Sequence, residues 1–197
     1  MMNIKLIFFA AIILFVASCG LRTSNEPTAG KTPCSNLSEA ESAFLDHLAS
    51  LCGKSFAGKE NYIQPGRESW AHKKFVMHVR LCEPGKVHIP FHLDNDHSRT
   101  WMFMADENGL RFRHDHRHED GTPEDLNLYG GYADGKGTAF EQYFPADEYT
   151  NAMLDDDHMR QWNVVLAEDL STLTYQLLYK GVLVFEAEFD LRSELEQ

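Results

Sequence analysis

The chain has 197 residues, 43% of them hydrophobic, with 18 Lys and Arg against 30 Asp and Glu for a formal net charge of −12. That balance supports a buried core and disfavours nucleic-acid partners, because phosphate contacts need a basic patch. Docking on an anionic bilayer by charge is disfavoured on the same ground.

The first element is the run MMNIKLIFFAAIILFVASCG. Lys5 precedes an apolar stretch from Leu6 to Ala17, about twelve residues, which at about 1.5 Å per residue falls well short of the roughly 30 Å hydrocarbon core. It reads as the core of a signal peptide spanning residues 1–18, not as a membrane helix. Its end, Val16-Ala17-Ser18-Cys19, resembles the lipobox of bacterial lipoprotein precursors. The resemblance implies cleavage before Cys19, lipidation of its thiol and attachment to the membrane through acyl chains. Gly20, where lipoproteins held on the inner membrane often carry aspartate, implies the outer membrane, with the protein facing the periplasm. Residues 19–35 are small, polar and interrupted by prolines. They form a tether whose coil dimensions are roughly 20 Å. Residues 36–197 amount to one domain.

Ser38-Glu39-Ala40-Glu41 matches a capping box, and Leu37, Phe44, Leu48 and Leu51 recur at helical spacing, so a helix is expected over 38–51 with Gly53 as its stop. His47 lies beside the apolar stripe and reads as a packed or surface residue. Beyond Cys19 remain Cys34, Cys52 and Cys82, an odd number in a disulfide-permissive compartment. Cys34 sits in the tether, so Cys52 with Cys82 is the expected bridge, and Cys34 with Cys52 is the alternative.

After Gly53 the hydrophobic period becomes two. KSFAGKENY, KFVMHVRLC, KVHIPFHLD, RTWMFMA and LRFRHDHRH read as strands, and so do DLNLYGGYA, TAFEQYF, QWNVVLAE, TLTYQLLY and LVFEAEFDL. FPADEYTNAML, 144–154, interrupts them as a short helix. Ten strands joined mostly by hairpins exclude a doubly wound α/β fold and predict an all-β, up-and-down antiparallel barrel of about 8–10 strands. Pairing arithmetic supports a continuous inner wall. A Glu83-Pro84-Gly85 loop sets Leu81 by Val87, Val79 by Ile89 and Met77 by Phe91. Leu166 meets Leu173, Val164 meets Tyr175 and Trp162 meets Leu177. A loop at Lys180–Val182 sets Tyr179 by Leu183, Leu177 by Phe185 and Leu173 by Phe189.

The stretch RFRHDHRHEDG places His114, His116 and His118 at alternate positions. With Asn108-Gly109 as a two-residue turn, Phe103 opposes His114, Trp101 opposes His116 and Arg99 opposes His118. The histidines then share the Trp101/Phe103 face, while Arg111, Arg113, Asp115 and Arg117 take the other. Neutral imidazoles are cheaper to bury than that charged row, so Trp101, Phe103, Phe112, His114 and His116 are the expected wall of a ligand pocket. On this reading the imidazoles titrate near pH 6.5 and make uptake of a small, partly apolar ligand pH-sensitive. His78, His88 and His92 fall on the solvent face of their hairpin.

Same-face residues of a strand lie roughly 6.6 Å apart, so His114 and His118 are about 13 Å apart, whereas a zinc ion needs donors within about 2.1 Å. All three cannot share one ion. The metal alternative is a rim site for a transition metal such as zinc, from His116 and His118 with His97 or Asp120. Tyr129-Gly130-Gly131-Tyr132 reads as a bend or close-approach point, not a phosphate loop. Asp155-Asp156-Asp157-His158 reads as a solvated loop without the glycine and distal glutamate of an EF-hand. Ser98 beside His97 lacks the context of a triad.

The ordered words SFAGK, MHVRLC, IPFHLDNDHSRTW, HDHRHEDG, YGG, FPAD and FEAEFDL over residues 51–191 resemble a family of uncharacterised bacterial secreted proteins and lipoproteins. The resemblance implies an envelope location and a single domain. The opening LCGKSFAG after an N-terminal helix, with the meander that follows, is similar to lipocalin and fatty-acid-binding barrels, although Phe56 stands where lipocalins carry tryptophan. The functional expectation is a lipid-anchored barrel holding a small ligand. A His-based metalloprotein or metallohydrolase and a structural or partner-binding envelope lipoprotein are the alternatives.

Overall fold

The computed structural model describes residues 36–154 and 159–196. The signal peptide, the lipobox with Cys19, the tether with Cys34 and the Asp155–His158 loop lie outside the described residues.

Helix α1, Glu39–Ala49, starts as the capping box requires. The Glu41 amide donates to Ser38 Oγ at 3.2 Å, and the Ser38 amide to Glu41 Oε2 at 2.7 Å. Its stripe buries Phe44, Leu45 and Leu48. Gly53, at φ +85°, turns the chain out of the helix into the sheet.

Eleven antiparallel strands follow: β1 Ser55–Ile63, β2 Phe75–His78, β3 Leu81–Glu83, β4 Lys86–Leu93, β5 Asp96–Asp106, β6 Gly109–His116, β7 Tyr129–Tyr132, β8 Glu141–Pro145, β9 Arg160–Leu166, β10 Thr172–Tyr179 and β11 Val182–Glu194. Helix α2, Glu148–Leu154, lies between β8 and β9. The helix expected over 144–154 is shorter because Phe144 and Pro145 are claimed by β8, pairing with Trp162 and Gln161. Asp147 then caps α2 by accepting from the Thr150 amide at 3.0 Å.

The sheet runs β7-β6-β5-β4-β2-β1-β11-β10-β9-β8, with β3 beside β4. Neighbours are consecutive in sequence except at two places: β2 pairs with β4 past the short β3, and β1 pairs with β11, which joins the two ends of the meander. The fold is therefore an all-β, nearly closed barrel with two helices. Its seam lies between β7 and β8. There the Asp134 amide donates to the Tyr143 carbonyl at 3.0 Å and the Asp147 amide to the Gly130 carbonyl at 3.1 Å. Gly131 permits this contact, since a Cβ on it would fall 1.8 Å from the Pro145 carbonyl oxygen. The YGGY segment is thus a close-approach point within a strand.

The registers of β9 with β10 and of most of β10 with β11 are as the arithmetic predicts. Three registers differ. The β10–β11 turn is the two-residue Lys180-Gly181, both residues at positive φ, and a shift beyond Leu177 sets Tyr179 by Val182 instead of Leu183. Met77 does meet Phe91, but the expected single strand breaks at Val79-Arg80, so Leu81 meets His88 and Cys82 meets Val87. Val79 has left the β4 ladder to bond the chain after α1, its amide donating to Lys54 O and its carbonyl accepting from Gly53. The slip helps bring Cys82 to Cys52, to which it is disulfide-bonded with the Cα atoms 6.2 Å apart. The third difference is in the β5–β6 hairpin. Its turn is Glu107-Asn108, followed by Gly109 at φ +116°, so every partner moves by two residues. Trp101 opposes His114, Phe103 opposes Phe112 and Arg99 opposes His116. A two-residue shift preserves parity, so the faces stand as expected.

The two ends of the barrel differ. At the closed end, α1 covers the strands: Phe44 packs edge-on against Phe103, and His47 stacks on Phe140 while its Nδ1 meets the Ala139 carbonyl at 2.9 Å. Asn36 enters there, bonded to the Asp106 and Glu107 carbonyls. The middle of the lumen is filled by Phe91, Trp101 and Tyr175, three near-parallel rings with centroids 4.7 and 4.6 Å apart. The opposite end is left open.

Candidate functional site

A cavity of about 310 Å³ occupies the open end. Its walls come from the inner faces of β9, β10 and β11 (Trp162, Tyr175, Leu177, Val184, Phe185), from Tyr129 and His116, from the connections over the mouth, which supply Trp70 and Leu126, and from Leu154 at the end of α2. Three charged side chains line it: Arg67, Arg160 and Glu124. An apolar wall with a few placed polar groups is the usual form of a small-molecule pocket.

The five residues expected on the pocket wall are all on the inner face and buried, yet they separate into two layers. His116 lines the cavity, whereas Trp101, Phe103, Phe112 and His114 pack beneath it and do not. Phe103 stacks on Phe112 at 4.6 Å, and both contact Phe144. Their side chains are spent on the core.

His114 has both ring nitrogens engaged: Nε2 lies 3.0 Å from Tyr175 Oη, and Nδ1 lies 3.2 Å from the Tyr129 carbonyl. Tyr175 accepts a hydrogen bond from Trp162, which directs its own hydroxyl proton to Nε2 and leaves Nδ1–H for the carbonyl. Every donor in the chain Trp162–Tyr175–His114–Tyr129 carbonyl has an acceptor. Burial holds the His114 pKa down at about 3, so it is a neutral brace and does not titrate near pH 6.5. Burial likewise raises Tyr175 well above the usual phenol range.

His116 meets Tyr129 Oη through Nε2 at 3.0 Å and faces Glu124 through Nδ1 at 3.6 Å. Its pKa is lowered, first by burial and then by Arg99, with Glu124 opposing both. Tyr129 is pushed up to about 12 by burial, so its hydroxyl stays protonated at the cavity wall. Arg99, opposite His116, is ion-paired with Asp96 and sits 5.5 Å from the centre of the Trp70 ring. Its Nε is buried with no hydrogen-bond partner among the described residues.

The expected metal ligands are not brought together. His116 is turned inward among these partners. A register shift in the β4–β5 ladder between Phe91 and Leu93 turns His97 outward, where its ring stacks on His92 with centroids 3.8 Å apart. His118 has left β6 for an exposed turn closed by its own carbonyl accepting from Gly121. Asp120 Oδ1 accepts from Thr122. His97 and His118 share only a surface cleft. Among the described residues, no group of three or more His, Cys, Asp or Glu side chains is placed to hold a metal ion.

Two features of the outer face also depart from expectation. Arg113 is buried there, beneath α2, ion-paired with Asp147 and 3.3 Å from Thr150 Oγ1. His78, His88 and His92 are only partly exposed; His78 Nε2 meets His92 Nδ1 at 3.0 Å, and Ser55 Oγ meets His78 Nδ1 at 2.8 Å. Trp70, Glu124 and Arg67 escaped the sequence reading because they lie in connections without strand periodicity. Tyr175 was visible in it, as the inward partner of Val164. No family model matches the chain, and neither the curated proteins nor the solved structures compared with it include a match.

Proposed function

We propose that the protein is a lipid-anchored envelope lipoprotein of the bacterial outer membrane that holds a small, partly apolar ligand in the open end of its barrel. The carrying observation is the cavity of about 310 Å³ walled by Trp70, Trp162, Tyr175, Leu177 and Phe185, with the Tyr129–His116–Glu124 chain as its polar edge. The lipobox supports the anchor. Asn36 enters at the α1 end, so a tether leading to Cys19 would leave from the end opposite the cavity mouth.

The test is uptake of the neutral fluorophore N-phenylnaphthylamine by the wild type and by Leu177→Trp, a substitution that fills the cavity from a partly exposed wall position. The wild type should bind with enhanced emission and the filled variant should not. Equal binding by two equally folded proteins would refute the reading. For the anchor, Cys19→Ser should release the protein from the membrane fraction.

A further inference from the structure

The connection after β6 folds back on that strand and carries Glu124 to the cavity. The Glu124 amide donates to the His116 carbonyl at 3.1 Å, and the buried Asn127 side chain accepts from the amides of His116 and Leu128 at 2.7 and 2.8 Å. Glu124 is thereby a fixed part of the wall. Its carboxylate, 33% exposed, accepts no hydrogen bond of ordinary length from a described residue, and its ion-pair neighbour is His116 Nδ1 at 3.6 Å.

The protons on this side of the cavity run one way. A carboxylate does not donate, so the His116 nitrogen facing it carries the ring proton, and Nε2 is left to accept from the Tyr129 hydroxyl 3.0 Å away. The Tyr129 proton is therefore engaged as well. The groups that the His116 side turns to a ligand are oxygen lone pairs, on Glu124 and on Tyr129, and they call for a donor.

The charge of that donor follows from its neighbours. An anion would meet the Glu124 carboxylate directly. A cation would stand where His116 itself resists protonation, because burial and then Arg99 lower its pKa and Glu124 does not offset them. A neutral donor avoids both penalties. Arg67 and Ser69 line the cavity from the exposed connection after β1, at its rim.

We infer that the ligand is an uncharged amphiphile whose polar end is a hydroxyl group donating to the Glu124 carboxylate beside Tyr129 Oη, with its apolar part against Trp162 and Leu177. This rests on the pocket proposed above and adds the chemistry and the place of the polar end.

The experiment compares decanol with its isomer methyl nonyl ether, which keeps the oxygen and the carbon count but has no proton to donate, and with decanoate and decylamine. Affinities are read near neutral pH by displacement of N-phenylnaphthylamine. Decanol should bind about tenfold more tightly than the ether, the size expected of a hydrogen bond to a charged acceptor. It should also bind more tightly than decanoate and decylamine. Glu124→Met, which keeps the length of the side chain and removes its oxygens, should bring decanol and the ether close together. Equal affinities for the two in the wild type, or a decanol preference that survives Glu124→Met, overturn the inference and leave the pocket standing. A preference for decylamine makes Glu124 a counter-ion and overturns it, and a preference for decanoate moves the polar end away from Glu124 and does the same. The ligand series on the wild type decides even where Glu124→Met fails to fold. If the fluorophore binds to neither the wild type nor Leu177→Trp, the pocket itself has failed and the hydroxyl assignment with it.

Discussion

The two ends of the barrel are built from the same strands and put to opposite uses. At the α1 end every inward side chain meets another: Phe44, Phe103, Phe112 and Phe144 form one cluster of buried rings. At the other end the inward side chains of β9, β10 and β11 face open space beneath Trp70. Packing at one end supplies the stability that lets the other remain hollow. Substitutions at the closed end should therefore cost folding, and those at the open end should cost binding.

The largest losses are expected where the barrel is tightest. Gly131→Ala would push a methyl group into the Pro145 carbonyl at the β7–β8 seam, and Phe103→Ala would empty a fully buried ring site. Phe103→Ala should lower the unfolding free energy by roughly 3–5 kcal/mol. Gly131→Ala should cost on the order of 3 kcal/mol. Trp70→Ala, at the mouth, should cost far less while weakening fluorophore uptake severalfold. Urea denaturation of the three variants reads the stabilities. A loss for Trp70→Ala as large as that for Phe103→Ala would abolish the distinction between the ends.

Next in size is the disulfide that ties the chain after α1 to β3. Replacing Cys52 and Cys82 together by serine removes a bridge closing a 30-residue separation between the chain after α1 and β3. The expected cost is about 2–4 kcal/mol, with cavity binding retained below the transition. Thiol titration of the unfolded, unreduced protein checks the pairing, because Cys52 and Cys82 should both be unreactive.

His114 marks the boundary between the two regions. His114→Gln should cost about 1–3 kcal/mol at neutral pH by leaving the Tyr175 hydroxyl imperfectly paired. Its pH signature is separable. The imidazole titrates near 6.5 when unfolded and at about 3 when folded, so the unfolded chain binds the proton first as pH falls. Stability should therefore decline from about pH 6.5 downward. His92, lowered to about 4 chiefly by burial and then by His78, adds a decline of the same sign over the upper part of that window. Denaturant midpoints measured from pH 7 to pH 4 should fall for the wild type and fall less steeply for His114→Gln. An identical slope would mean that His114 is not the buried neutral brace described here.

What was legible in the sequence was periodic. Alternation along β9, β10 and β11 fixes which residues face inward, and the parity of the β5–β6 hairpin put His114 and His116 inside although its turn lies one residue earlier than expected and its partners are shifted by two. Deviations of one residue were not legible, because a bulge adds a residue without changing composition. The slip at Val79-Arg80 and the one beside His92 are of this kind, and the second removed His97 from the metal set. The sequence also treats an inward residue as a pocket residue. Whether Phe103 fills the lumen or lines it depends on what Phe44 and Phe144 contribute from elsewhere in the chain. Arg113 shows the converse, a charged outward residue buried because α2 brings Asp147 and Thr150 over it.

The smallest expected effect is the sharpest probe of the open end. Glu124 is partly exposed and its link to His116 is long, so Glu124→Gln should change stability by no more than about 0.5 kcal/mol. Its effect should fall on one group. Burial and Arg99 lower the His116 pKa, and Glu124 acts against them. Removing that carboxylate must lower it further, whereas Arg99→Gln, removing the nearby cation, must raise it. Proton or nitrogen resonances of the His116 ring followed across pH would show the wild-type midpoint between those of the two variants. The opposite order, or three coincident midpoints, would mean that the ring does not bridge Glu124 and Tyr129 at the cavity wall.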